Sequence, residues 1–307
     1  MFKHILIPID SQPLSQHAAK VGLEFAQRLQ AQVTLLHVIQ MPPVYPPQSE
    51  HAALETIRDH GKKLLEPWSE IAAKKGIQLK TKMVQDDAHS VAASIVKAAD
   101  HLECDLILMG TQGREGFDRL LVGSVAERVA RLANQPVMLM RSSLSSQAST
   151  LNSDHSFESI LLPVDGSTTS QAALWTADEL ARQLGASLHF LHVVPDLPPP
   201  MNDGSFGTND RSEPWIEALE HQGQAIIKHA KESTTLERVE TSTIPASGAR
   251  TAKQILKFAS EHHSSLIVIG THGRSGLDRL LLGSVAEGVM HHADVPVLLV
   301  RAKPNKP

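Results

Sequence analysis

The chain repeats itself, and the repeat constrains the fold more than any other feature. ILIPID (Ile5 to Asp10) returns as ILLPVD (Ile160 to Asp165), 155 residues later. LLHV (Leu35 to Val38) returns as FLHV (Phe190 to Val193) at the same offset. GTQGREGFDRLLVGSVAER, from Gly110, returns as GTHGRSGLDRLLLGSVAEG, from Gly270, with 14 of 19 positions identical and an offset of 160. QPVMLMR (Gln135 to Arg141) returns as VPVLLVR (Val295 to Arg301). The blocks keep one order, so the 307 residues hold two copies of a module of about 145 residues. Between the copies, Ser142 to Ser156 is nearly half serine and has no apolar period, as a flexible linker would. The expected division is domain 1 over 1–142, a linker over 143–156 and domain 2 over 157–307. Two proline-rich breaks, Met41 to Gln48 and Pro195 to Gly204, read as surface loops: plain connections, or lid or partner-contact loops.

Within a module, short apolar runs alternate with helical spacing. The first half has strand-like runs at HILIPI (from His4), VTLLHVI (from Val33), LKTKMV (from Leu79), DLILMG (from Asp105) and PVMLMR (from Pro136). They are nearly continuous in apolar residues, as strands covered on both faces are. Between them Ala18, Val21, Gly22, Phe25, Ala26 and Leu29 keep helical spacing, as do Ile57, Leu64, Leu65, Trp68, Ile71 and Ala72. Val91, Ile95, Ala98, Ala99 and Leu102 give a third helix, and Val125, Ala126, Val129, Ala130 and Ala133 a fourth. Alternating strand and helix means right-handed crossovers and a parallel sheet. The fold class is therefore α/β: two tandem copies of a five-stranded parallel-sheet α/β sandwich. In such sheets ligands lie beyond the carboxyl ends of the strands, where strand order reverses.

Composition narrows the function. With 29 Lys and Arg against 33 Asp and Glu the net charge is −4, which speaks against nucleic acid as a partner. No apolar run reaches membrane-spanning length, and MFKHILIPID lacks signal-peptide anatomy, so a cytoplasmic location is expected and no membrane partner. A single cysteine, Cys104, excludes an internal disulfide or a CxxC pair and is expected to be a buried, bland thiol.

Three features should meet at the crevice of each half. One is an Asp ending the first strand, Asp10 or Asp165. Another is the glycine-rich segment after the fourth strand: Gly110, Gly113, Gly123 and Ser124, repeated as Gly270, Gly273, Gly283 and Ser284. The third is the helix that follows, whose N–H groups carry partial positive charge and suit phosphate. Ser124 and Ser284 are placed to cap that helix or contact an anion, and Arg114 and Arg274 add full positive charge. These residue types suit a nucleotide. The plainer alternatives are glycines that serve turns and helix packing, and aspartates that serve as helix caps. Paired His262–His263 and His291–His292 point about 100° apart on a helix and make no two-ligand face, and the repeated His37 and His192 read as structural.

The pattern G-x2-G-x9-G-S, present twice with a strand-ending Asp upstream, closely resembles the universal stress protein family in its tandem form and marks that family's ATP-binding branch. The resemblance implies a Rossmann-like, adenine-nucleotide-α-hydrolase-like fold. It implies ATP as the ligand, with Mg2+ on the phosphates as an option. The matching positions are Asp10, Val38, Met109, Gly110, Gly113, Gly123, Ser124 and Val125, and in the second half Asp165, Val193, Ile269, Gly270, Gly273, Gly283, Ser284 and Val285. Val38 and Val193 would meet adenine through backbone groups. Ser11 replaces the second half's Gly166, and Pro13 removes a backbone donor, so the first site is expected to be the weaker. Three readings follow: a nucleotide-binding stress or regulatory module, a slow ATPase or adenylating enzyme, and an interaction scaffold with a vestigial site. Walker A, SGGxDS, HIGH, GxSxG and HExxH motifs are absent and no catalytic residue is assigned. The last strands, PVMLMR and PVLLVR, would be edges that pair with each other, which also leaves a homodimer open.

Overall fold

The computed structural model describes residues 2–40, 50–86, 90–111, 122–141, 157–196, 212–248, 250–272 and 282–302. The linker, Gly113, Arg114, Gly273, Arg274 and most of both proline-rich breaks lie outside these residues. The first half runs β1 (His4–Pro8), α1 (Pro13–Leu29), β2 (Gln32–Ile39), α2 (Glu50–Lys74), β3 (Leu79–Gln85), α3 (Val91–His101), β4 (Leu106–Gly110), α4 (Ser124–Leu132) and β5 (Val137–Met140). The second runs β6 (Ser159–Pro163), α5 (Thr168–Leu184), β7 (Ser187–Val194), α6 (Ser212–Glu232), β8 (Val239–Pro245), α7 (Thr251–Glu261), β9 (Leu266–Gly270), α8 (Ser284–His292) and β10 (Val297–Val300).

Each half is a parallel sheet in the order 3-2-1-4-5 of its own strands, and the two join as β3-β2-β1-β4-β5-β10-β9-β6-β7-β8. At the junction β5 and β10 are antiparallel, with Val137 opposite Leu299, Met138 opposite Leu298 and Leu139 opposite Val297. Side chains alternate across a strand. Thus Ile5 and Ile7 enter a core with α1, α2, α5 and α6, while Leu6 enters another with α3, α4, α7 and α8. Both cores run through both halves, which is why the four central strands β4, β5, β10 and β9 carry no polar side chain.

Polar contacts cross between the halves on both faces. On one, Arg28 of α1 donates to the carbonyl of Leu184 at 2.9 Å, and Phe157 packs edge-on against Phe25 with centroids 5.0 Å apart. On the other, Arg131 of α4 bonds Glu127 at 2.9 Å and Glu287 of α8 at 2.7 Å. Arg141, just after β5, donates to the carbonyl of His291 in α8. Its repeat, Arg301, donates to the carbonyls of Ala130, at 3.1 Å, and Arg131 in α4. Each arginine thus caps the C-terminus of the other half's helix, where unpaired carbonyls carry partial negative charge.

Candidate functional site

In each half the strand order reverses between the first and fourth strands, β1 and β4 or β6 and β9. In the first half a cleft of about 210 Å³ opens there. The ends of β1 (Pro8 to Asp10), β2 (Val38, Gln40) and β4 (Met109, Gly110) line it, with α3 (Val91, Ile95) and the start of α4 (Gly123 to Ala126). Every described first-half residue expected at the site is present: Asp10, Val38, Met109, Gly110, Gly123, Ser124 and Val125. In the second half Val193, Ile269 and Leu282 share one apolar cluster, with Val285 packed against it. Asp165 follows β6, Gly270 ends β9, and Gly283 and Ser284 open α8, repeating the arrangement.

The glycines differ in purpose. A Cβ on Gly110 would lie 2.9 Å from the carbonyl oxygen of Leu14; one on Gly270 would lie 2.8 Å from the carbonyl carbon of Thr169. These glycines admit the start of α1 or α5 against the strand end, so at these two positions the packing reading is correct. Gly123 and Gly283 are helix N-caps with φ of −61° and −64°. Any residue adopts that backbone, so conformation alone does not require glycine at either position. Ser124 and Ser284 do not cap: each is the first helical residue, and α4 and α8 begin with no side-chain cap. Among the described residues the first N–H groups of both helices have no side-chain cap, and in the first half the start of α4 lines the cleft.

The aspartates are not N-caps either, because those positions are held by Gln12 and Ser167. Asp10 Oδ1 accepts from the Gln12 N–H at 3.0 Å and from the Ser15 hydroxyl at 2.5 Å. Asp165 Oδ1 accepts from the Ser167 N–H at 2.9 Å, and the Ser170 hydroxyl accepts from the Asp165 N–H at 3.3 Å. Each carboxylate is thus held in a turn ahead of its helix. Ser15 lines the cleft and was missed from sequence, although Ser15 and Ser170 keep the 155-residue offset that would have marked them. Gln12, Leu14, Gln40, Val91 and Ile95 were missed too; they are ordinary residues brought in by topology.

His37 and His192 are structural. Their Nδ1–H groups donate to the carbonyls of Ile9 at 2.9 Å and Val164 at 2.7 Å, fixing the segment before each aspartate. In the second half, His272 Nε2 is buried with no partner among the described residues. Cys104 is buried, and burial followed by nearby Asp105 pushes its thiol up to about 12, so it is inert. Glu127, Glu287 and His291 offer ligand atoms within 4.8 Å of one another, but Arg131 already bonds both carboxylates, so they act as an ion-pair cluster. Among the described residues, no helix is long and apolar enough to cross a membrane.

Comparison with known proteins agrees with this architecture. The Universal stress protein family matches residues 1–141 and again 156–301. A universal stress protein of Mycolicibacterium smegmatis is 26% identical over 309 residues, covering 97% of each chain. A universal stress protein of Bacillus subtilis is 36% identical over 149 residues, 47% of this chain and 99% of its own. The crystal structure of a universal stress protein from Archaeoglobus fulgidus superposes with a TM-score of 0.70 at 20% identity, covering 97% of this chain and 98% of that one. With two copies of the family domain in one polypeptide, the chain belongs to the universal stress protein family as a tandem member.

Proposed function

We propose that each half binds an adenine nucleotide, ATP, at the carboxyl ends of its central strands, and that the protein acts by holding it. The observation that carries this is the bare start of α4: Gly123 caps the helix without a side chain, within a cleft whose other walls are Asp10, Val38 and Gly110. The residues fit the ligand. The amides at Ser124 and Val125 would take phosphate oxygens. The end of β2 at Val38 would meet the base, and the oriented carboxylate of Asp10 the ribose or base edge. Asp165, Val193, Ile269, Gly270, Gly283, Ser284 and Val285 would do the same in the second half. Gly113, Arg114, Gly273 and Arg274 belong to the same reading through the sequence pattern. Mg2+, when bound, would neutralise part of the triphosphate charge.

One feature favours binding over turnover. The ionisable residues among the described lining are Asp10 and His37, and both are engaged by the hydrogen bonds already given. We further propose that the halves function as an intramolecular pair through β5 and β10.

Mass spectrometry of nucleotide released from the purified protein tests the reading, with calorimetry on Gly123→Val and Gly283→Val. ATP is expected in the released ligand. The double variant should lose binding while staying folded, and Gly283→Val alone should weaken it more than Gly123→Val. Wild-type affinity in the double variant overturns the site. ADP with steady phosphate release favours an ATPase, and absence of any nucleotide binding favours a scaffold.

A further inference from the structure

The halves differ between the first two helices of each module. In the second half a mostly apolar cavity of about 270 Å³ lies between α5 and α6. Val164, Leu174 and Ala230 make its buried floor, Ile226 one wall, and Gln222 and His229 part of its exposed rim. The equivalent region of the first half identifies what has been removed. A Cβ on Gly61 of α2 would lie 2.8 Å from His37 Cδ2, and one on Gly223 of α6 would lie 2.8 Å from His192 Cδ2. Each mid-helix glycine admits the repeated histidine, so α6 aligns on α2 with an offset of 162 residues. The burial pattern agrees, since Gly61 and Trp68 are buried in α2 where Gly223 and Ala230 are buried in α6.

On that alignment Ala230 replaces Trp68, whose indole is in the first half's core. Ala225 replaces Lys63. Leu174 replaces Ala19 on the facing helix and restores only part of the lost volume. An interior that loses an indole without closing up retains an apolar void with unpaired walls. Apolar cavities of about 150 Å³ already take a benzene ring. The void here is larger, and it opens to solvent at a polar rim.

We infer that the α5–α6 cavity is a ligand site for a small, neutral, planar bicyclic aromatic compound of the indole class, which occupies the space that Trp68 fills in the first half. The ring packs on Val164, Leu174, Ile226 and Ala230, and a ring N–H turns to the amide side chains of Gln171 or Gln222. Because Gly166 and Ser170 also line the cavity, its occupant lies against the turn that holds Asp165. The assignment rests on the α5–α6 cavity and not on the nucleotide reading, although Val164 and Ser170 repeat Ile9 and Ser15 of the first-half cleft, so the two sites are neighbours across the Asp165 turn.

Isothermal titration with indole, backed by amide NMR shifts, tests it on the full chain. One saturable site per chain is expected, with shifts centred on α5 and α6. Ala230→Trp should fold, because the cavity offers the indole room beside Leu174, and should weaken indole binding at least tenfold. Ala225→Phe blocks the mouth from an exposed position and should do likewise, which keeps the test valid if the first variant misfolds. No saturation up to indole's solubility limit overturns the proposal. So does unchanged binding in a folded variant, or amide shifts centred on the start of α8 rather than on α5 and α6, which would place indole in the nucleotide cleft.

Discussion

Single residues separate what the glycine pattern marks from what it means. Gly270 is in contact with backbone, the carbonyl of Thr169 and the N–H of Ser170, and backbone cannot swing aside as a side chain can. Gly270→Ala should therefore cost about 1–3 kcal/mol, the usual range for overpacking, read as a lower urea midpoint at unchanged slope. The motif's glycines were legible in the sequence, but their division of labour was not. Gly110 and Gly270 face a helix start and Gly123 and Gly283 begin one, and only the fold decides which. Two histidines give the pH response. His4 and His189 are held below the ordinary histidine value, chiefly by burial; Asp105 opposes this for His4, and for His189 Glu240 opposes it while His262 adds to it. His189 lies 3.3 Å from Glu240, but burial prevails and this is a contact of a neutral ring at pH 7. A lowered folded value means the unfolded chain takes up the proton first. Their contribution is thus complete above the unfolded histidine value, about 6.5, and declines as pH falls from there toward the folded value. Melting temperature should drop between pH 7 and pH 5, and the drop should be shallower in His4→Gln/His189→Gln; an identical pH profile would remove these residues from the account.

Elements were the most legible level, and the reason is burial on both faces. β1, β4, β5, β6, β9 and β10 are inner strands with apolar runs that admit no other assignment. The edges β3 and β8 are half exposed; the outward Lys80 and Lys82 interrupt β3 and discourage further pairing. Helix ends were less legible, because duplication preserved their positions but not their residues. α1 ends at Gln30 with φ of 54°, while α5 ends at Gly185 with φ of 66°, the same place in the repeat. A side chain in the left-handed region is strained where glycine is not. Gln30→Gly should raise stability by about 0.5–1 kcal/mol and Gly185→Gln should lower it similarly. Opposed shifts in chemical melts would verify both, and a destabilised Gln30→Gly would show that the left-handed cap is not strained.

At the scale of the whole molecule, duplication supplies a pseudo-twofold partner that each half would otherwise have to find. The last strand of each module is apolar throughout and would be an exposed edge alone. Pairing β5 with β10 covers both edges and lets the two cores run through both halves. The arginines at this junction were not readable in the sequence, since a strand-ending arginine has many uses. The partly solvated pairs of Arg131 with Glu127 and Glu287 contribute little, as such ion pairs do. Arg141 and Arg301 differ because they satisfy helix-end carbonyls across the junction, and Arg301 is buried enough for desolvation to lower its own proton affinity. Losing either leaves those carbonyls without that donor, at a cost of about 1.5–3 kcal/mol for a charged hydrogen bond. Arg141→Ala/Arg301→Ala should therefore shift the urea midpoint down and uncouple the halves. The wild type should unfold in one transition and the double variant in two, with a larger radius of gyration between them. One unshifted transition in the double variant would mean that strand pairing and the shared cores hold the halves together without the arginines.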